Sequence, residues 1–112
     1  MSRSLADVLK GDDVFIGVSG RVRLIDKDMV QSMKSSPIVF ALSNPDPEIL
    51  PSDALEAGAS VVATGRSDFA NQVNNAVVFP AILPSLLDLR VKTLIEGMLV
   101  SVGTAIAGIV NT

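Results

Sequence analysis

Two short stretches carry most of the chemistry open to this sequence: Ser43-Asn44-Pro45-Asp46-Pro47 and Asn71-Gln72-Val73-Asn74-Asn75. Side-chain amides supply uncharged donors and acceptors, suited to a carboxylate or a carboxamide, but they do not move protons. The chain has no His, Cys or Tyr. Proton transfer would therefore fall to carboxylates, to Lys10, Lys27, Lys34 and Lys92, or to Ser and Thr hydroxyls without an imidazole partner. Binding suits this composition better than self-contained catalysis. Each stretch also has a plainer reading: Asn44 capping its own turn, and the amide-rich segment satisfying loop backbone. The adjacent Asp12 and Asp13 point in different directions at a strand's amino end, so they read as a solvated turn and not as a metal pair.

The elements around these residues follow from apolar patterning. Pro37 to Leu42 is an unbroken apolar run, as expected of a parallel-sheet strand covered on both faces, and it stops where two prolines exclude ladder hydrogen bonds. Asn44 thus stands at a strand's carboxyl end, where ligands bind in open parallel sheets. Two more such runs, Val14 to Val18 and Ser60 to Ala63, close on Ser19-Gly20 and Thr64-Gly65. Helices are expected over Ser4 to Lys10, from the Ser-x-x-acid start, over Asp26 to Lys34, and over Ser52 to Gly58, with Glu48 to Pro51 as linker. Strand, helix, strand, helix, strand makes half of a doubly wound α/β sheet. Neither G-x-G-x-x-G nor a P-loop occurs, so no phosphate cradle is expected within the chain.

Beyond the third strand, Ala76 to Leu87 is almost wholly apolar, with Pro80 and Pro84 expected to limit it to short helical turns packed beneath the site. Val91 to Val110 has apolar residues at helical spacing. Its uncharged part, 97–110, is about two-thirds of the ~20 residues a membrane span needs, so a helix buried against a partner is the expectation. An apolar last helix and an unpaired strand edge together predict a homo-oligomer.

Composition narrows the class further. A chain of 112 residues with 48% hydrophobic and 19% charged residues is expected to form one ordered domain. Net charge is −3, with the basic residues dispersed, which argues against nucleic acid. Met1 to Lys10 lacks the apolar core of a signal peptide, and a cytoplasmic location is expected.

Taken in series, Val14-Phe15-Ile16-Gly17-Val18-Ser19, Ile38 to Pro45, Ala63-Thr64-Gly65-Arg66-Ser67-Asp68 and Asn71 to Asn75 through Phe79-Pro80 closely resemble the bacterial and archaeal type of malic enzyme. The likeness covers nearly the whole chain in order. It implies the second half of a Rossmann-like doubly wound NAD(P)-binding domain, about three parallel strands followed by C-terminal helices. It further implies oxidative decarboxylation of malate to pyruvate with NAD or NADP and a divalent Mg or Mn. By the same resemblance Asn44, Asn74 and Asn75 would contact substrate, and Val18, Ser19, Leu42, Ser43 and Asn44 the cofactor. The family's catalytic Tyr and Lys, its acidic metal ligands and its glycine-rich loop belong to a region upstream of the matched one. No catalytic residue and no metal ligand is therefore assigned, and the chain alone is expected to be inactive. The alternative is a non-catalytic module that keeps the fold for assembly. Arg21, Arg23 and Ala81 depart from the family's usual smaller residues, which puts the cofactor fit and the assembly in question.

Overall fold

Three four-residue strands, β1 (Val14–Gly17), β2 (Ile38–Ala41) and β3 (Val61–Thr64), lie parallel in the order β1-β2-β3. Val14, Ile38 and Val61 are in register at one end, and Gly17, Ala41 and Thr64 at the other. Each strand is a run of apolar and mostly branched or aromatic residues that suits a pleated surface. All three point the same way, so their carboxyl ends, and the small residues that follow, fall along one rim of the sheet. The computed structural model describes residues 3–109, except for the side chain of Val77.

The connections are short helices whose starts are mostly written in local residues. α1 (Leu5–Leu9) opens on a reciprocal capping box: Ser4 Oγ accepts from the Asp7 backbone, and Asp7 Oδ2 accepts from Ser4 N at 3.0 Å. α2 (Lys27–Ser32) is capped by Asp26, whose carboxylate accepts from Met29 N at 2.9 Å. α3 (Pro51–Glu56) departs from expectation. Pro51 takes the first helical turn and Leu50 is the cap residue without a side-chain bond, so Ser52 lies inside the helix and the linker ends one residue sooner.

The core belongs to the unit Met1–Asn75, where Phe15, Val30, Val39, Ile49, Ala54 and Val62 are buried together. Covering one such large side chain contributes about 1.5–3 kcal/mol. Only one face of β1 is covered: Phe15 and Gly17 are buried, whereas Val14 and Ile16 are exposed, Ile16 to 61%. The unbroken apolar run read as covered on both faces, and within this chain the second face of β1 is open.

The unit Ala76–Thr112 contains a 3-10 turn at its junction with the first (Asn75–Val77), α4 (Phe79–Asp88) and α5 (Glu96–Ile109). α4 is one continuous helix and not the expected broken turns. Pro80 sits in its first turn, where a missing N–H costs nothing, and the helix carries Pro84 in its interior. α5 begins at Glu96, five residues later than the apolar spacing suggested, and its expected end at Val110 lies outside the described residues. Among the described residues of this unit none is buried. α4 and α5 flank an apolar groove of about 630 Å³ lined by residues such as Ile82, Leu86, Leu94, Met98, Leu99 and Ile106. No described helix is long and apolar enough to cross a membrane.

Candidate functional site

Along the rim formed by the carboxyl ends of the strands, the segments after β1 and β2 are bound together by one buried carboxylate. Glu48 is fully buried, with 0% exposure. Its Oε1 accepts from Ser19 N at 3.0 Å, from Ser19 Oγ at 2.9 Å and from Ser43 Oγ, and its Oε2 accepts from Ser43 N at 3.2 Å. The segments after β1 and β2 therefore meet on a single side chain. Main-chain bonds extend the seam: Arg23 N donates to Pro47 O and Ile25 N to Glu48 O, while Gly20 N donates to Ser43 Oγ at 2.8 Å. Burial alone would raise the Glu48 carboxyl. The bonds from Ser43, Ser19 and its own backbone outweigh that and hold it below the ordinary glutamate range.

Glu48 fits because residue 17 has no side chain. A Cβ built on Gly17 would lie 2.5 Å from Glu48 Cδ and 2.8 Å or less from both carboxylate oxygens. A glycine inside an apolar strand signals a close approach of this kind. That signal was present in the sequence, yet Glu48 itself, in a turn between prolines, read as linker.

A second tie runs from β3 to the turn after β2. Arg66 makes a two-pronged pair with Asp68, Nε to Oδ1 at 2.8 Å and Nη2 to Oδ2 at 2.7 Å. Its remaining nitrogen reaches Pro45 O at 3.1 Å and Asp46 Oδ1 at 3.3 Å, and the guanidinium stands 5.3 Å from the Phe69 ring centre. The Asp68 side chain raises Arg66 above its ordinary value, and Arg66 lowers Asp68. Arg66 is a further residue whose part in the rim the sequence did not disclose.

Against this frame the amide residues differ. The Asn44 side chain is exposed and has no hydrogen-bond partner among the described residues, so the turn-capping reading does not hold; its peptide bond to Pro45 is cis. Asn71 and Asn74 donate to backbone carbonyls, Asn71 to Val62 O within β3 at 3.0 Å and Asn74 to Gly65 O just beyond it at 2.7 Å. Asn75 is exposed at the start of the 3-10 turn. Gln72 forms a bridge beside Thr64, and a Cβ on Gly65 would lie 3.3 Å from Leu42 O and 3.9 Å from Val73 O. The amide segment at Val73 and the end of the β2 run at Leu42 thus flank the Gly65 backbone. Val18 is 78% exposed, Leu42 is half-buried, and Ser43 is buried with its hydroxyl turned to Glu48. Among the described residues no group of three or more His, Cys, Asp or Glu could hold a metal ion.

A parallel sheet with crossover helices and its small and amide residues gathered at the carboxyl rim defines a Rossmann-type α/β nucleotide-binding fold. Residues 2–112 match the family described as "Malic enzyme, NAD binding domain", and the chain belongs to the malic enzyme family in that domain. It is 56% identical over 108 residues to the bifunctional malic/malolactic enzyme of Bacillus subtilis, covering 96% of this chain and 26% of that one. It is 47% identical to the NADP-dependent malic enzyme of Rhizobium meliloti, over 96% of this chain and 14% of the relative. Among solved structures, the malic enzyme from Pyrococcus horikoshii superposes with a TM-score of 0.84 at 43% identity, over 95% of this chain and 25% of that protein. The chain thus spans about a quarter or less of the length of these relatives.

Proposed function

We propose that this chain forms the nicotinamide-facing and substrate-facing part of an NAD(P)-dependent, decarboxylating malate oxidoreductase. The observation that carries the reading is Asn44, an exposed amide with no hydrogen-bond partner among the described residues, at the carboxyl end of the central strand, in a fold that places ligands there. Its carboxamide suits the amide of a nicotinamide or a carboxylate of malate. Asn74 and Asn75 complete the substrate side. Val18 and Leu42 offer apolar surface for the cofactor ring, and Ser19 and Ser43 contribute as acceptors through their carbonyl oxygens, because their hydroxyls and backbone N–H groups all donate to Glu48. Bound NAD or NADP supplies the hydride acceptor. The chain's own residues bind and orient, and none of them is placed to act as general base. Among the described residues no group of carboxylates could hold the metal of the reaction, and no step through it is assigned to this chain. A cytoplasmic location agrees with this metabolic role.

The reading is tested by adding NAD, NADP and malate to the ¹⁵N-labelled chain. Shifts in the Asn44 side-chain and Val18 amide resonances at millimolar ligand, with the Val18 shift lost in Asn44→Ala, support it. An unchanged spectrum refutes it. The chain alone is expected to give no malate-dependent reduction of NAD or NADP with Mg or Mn present, since amides cannot replace a base. Turnover above a heat-inactivated control, abolished by Asn44→Ala, would contradict that expectation.

A further inference from the structure

We propose that Glu48 is a positioning residue whose carboxylate sets the spacing between the segments after β1 and β2, and thereby where Asn44 stands relative to the backbone of Ser19 and Gly20. The inference rests on the reading of this rim as the cofactor-facing site. Glu48 is fully buried, yet all its partners lie on the two segments that the cofactor would touch. It takes a backbone N–H from each, at Ser19 and Ser43, so neither segment can shift without breaking a bond to the other. Gly20 N, bonded to Ser43 Oγ, is a further link across the same gap.

The bonding also decides what the rim can offer a ligand. A serine hydroxyl has one hydrogen to donate, and those of Ser19 and Ser43 are both committed to Glu48. Toward a ligand these two side chains can only accept. Among Ser19, Ser43 and Asn44, the side-chain donor left for a carboxamide oxygen or a carboxylate is the Asn44 amide. Position, not number, of donors then determines binding. The charged side chains nearest in sequence, Arg21 and Arg23 after β1 and Asp46 after β2, are exposed, and none bonds to the carboxylate.

Glu48→Gln keeps the volume and one acceptor oxygen but turns an NH₂ toward Ser43 N, and Ser43→Ala removes a hydroxyl while leaving the carboxylate in place. In a ¹⁵N pH titration of the unmodified chain, Ser19 and Ser43 amides are expected to move together with one shared midpoint below the ordinary carboxylate range. In Glu48→Gln neither should move. With NAD added at neutral pH, the Asn44 response should weaken by about tenfold in Glu48→Gln and by less in Ser43→Ala, the scale of one misplaced hydrogen bond. Independent midpoints at Ser19 and Ser43, or a full Asn44 response in a folded Glu48→Gln chain, would overturn the proposal. If Glu48→Gln does not fold, a full response in Ser43→Ala overturns it. A shared titration without any NAD response in the unmodified chain would instead overturn the cofactor reading of the rim and leave the coupling of the two segments standing.

Discussion

The two units of this chain solve opposite halves of the folding problem. In Met1–Asn75 a set of apolar residues is buried together, and polar residues at the rim are tied to a buried carboxylate that accepts on both oxygens. In Ala76–Thr112 two helices carry Phe79, Leu83, Leu99 and Ile106 on exposed surface, and among the described residues none is buried. The first unit carries its own core. The second has helical structure without one, and isolated helices of this length are marginal in water unless an apolar face is covered. A ligand rim needs fixed geometry, and the proposed one lies on the unit that supplies it. An apolar surface with no interior calls for a partner.

The strongest way to break this contrast is to remove the apolar character of the second unit. The sequence reading predicts self-association through the apolar last helix, which falls on α5. Covering roughly 400 Å² of apolar surface at about 25 cal/mol per Å² would contribute on the order of 10 kcal/mol per chain before association costs. Leu99→Lys with Ile106→Lys, both on the groove between α4 and α5, should give monomers or insoluble protein by light scattering. A native-like monomer in the unmodified chain would remove the basis for the contrast.

Next in size is Gly17→Ala in the first unit. The added methyl would need the place of a carboxylate that four hydrogen bonds hold still, so the strand or Glu48 must shift, at a cost of about 3 kcal/mol. Urea unfolding followed by circular dichroism measures it. A loss under 1 kcal/mol would mean that Glu48 swings aside freely.

Glu48→Gln should cost less, about 2 kcal/mol at neutral pH, because an NH₂ then opposes Ser43 N. It also changes the acid limb. The hydrogen bonds that outweigh burial hold folded Glu48 below its ordinary value of 4.5, so its contribution is fully present above that value and is lost as pH falls through the folded one. The unmodified chain should lose stability more steeply over that acid range than the Gln variant, as read from denaturation midpoints at a series of pH values. Parallel profiles would show that Glu48 does not titrate between the folded and unfolded states.

The contrast between the units also explains what could be read from the residues. Strands β1 to β3 and the caps at Ser4 and Asp26 depend on neighbours a few positions away, and local pattern is enough for them. The start of α3 was missed by one residue because Pro51, preset for a first turn, took precedence over Ser52 as a cap. Burial on both faces of β1 was over-read, because an unbroken apolar run reports what a strand is able to bury and not what this chain provides to bury it. Glu48 was not legible at all. Its partner at Ser19 is 29 residues away, and a glutamate between prolines has no periodicity to betray it. Asn44 was legible as a candidate because strand ends are. Only its lack of a hydrogen-bond partner among the described residues separates it from a turn cap.

That separation is also the smallest expected effect on stability and the one that sharpens the comparison most. Asn74 bonds Gly65 O at 2.7 Å, so Asn74→Ala leaves a strand-end carbonyl without this donor and should cost about 1 kcal/mol. Asn44 bonds nothing among the described residues and is exposed, so Asn44→Ala should change the unfolding free energy by no more than about 0.5 kcal/mol. A residue kept for the fold would show the reverse order. Paired denaturation curves settle the ranking, and a cost for Asn44→Ala equal to that of Asn74→Ala would place Asn44 among the residues that hold the turn. If the order stands, the rim contains a side chain that contributes little to the fold, held in place by neighbours that contribute a great deal, which is the division expected where a rigid frame presents one group to a ligand.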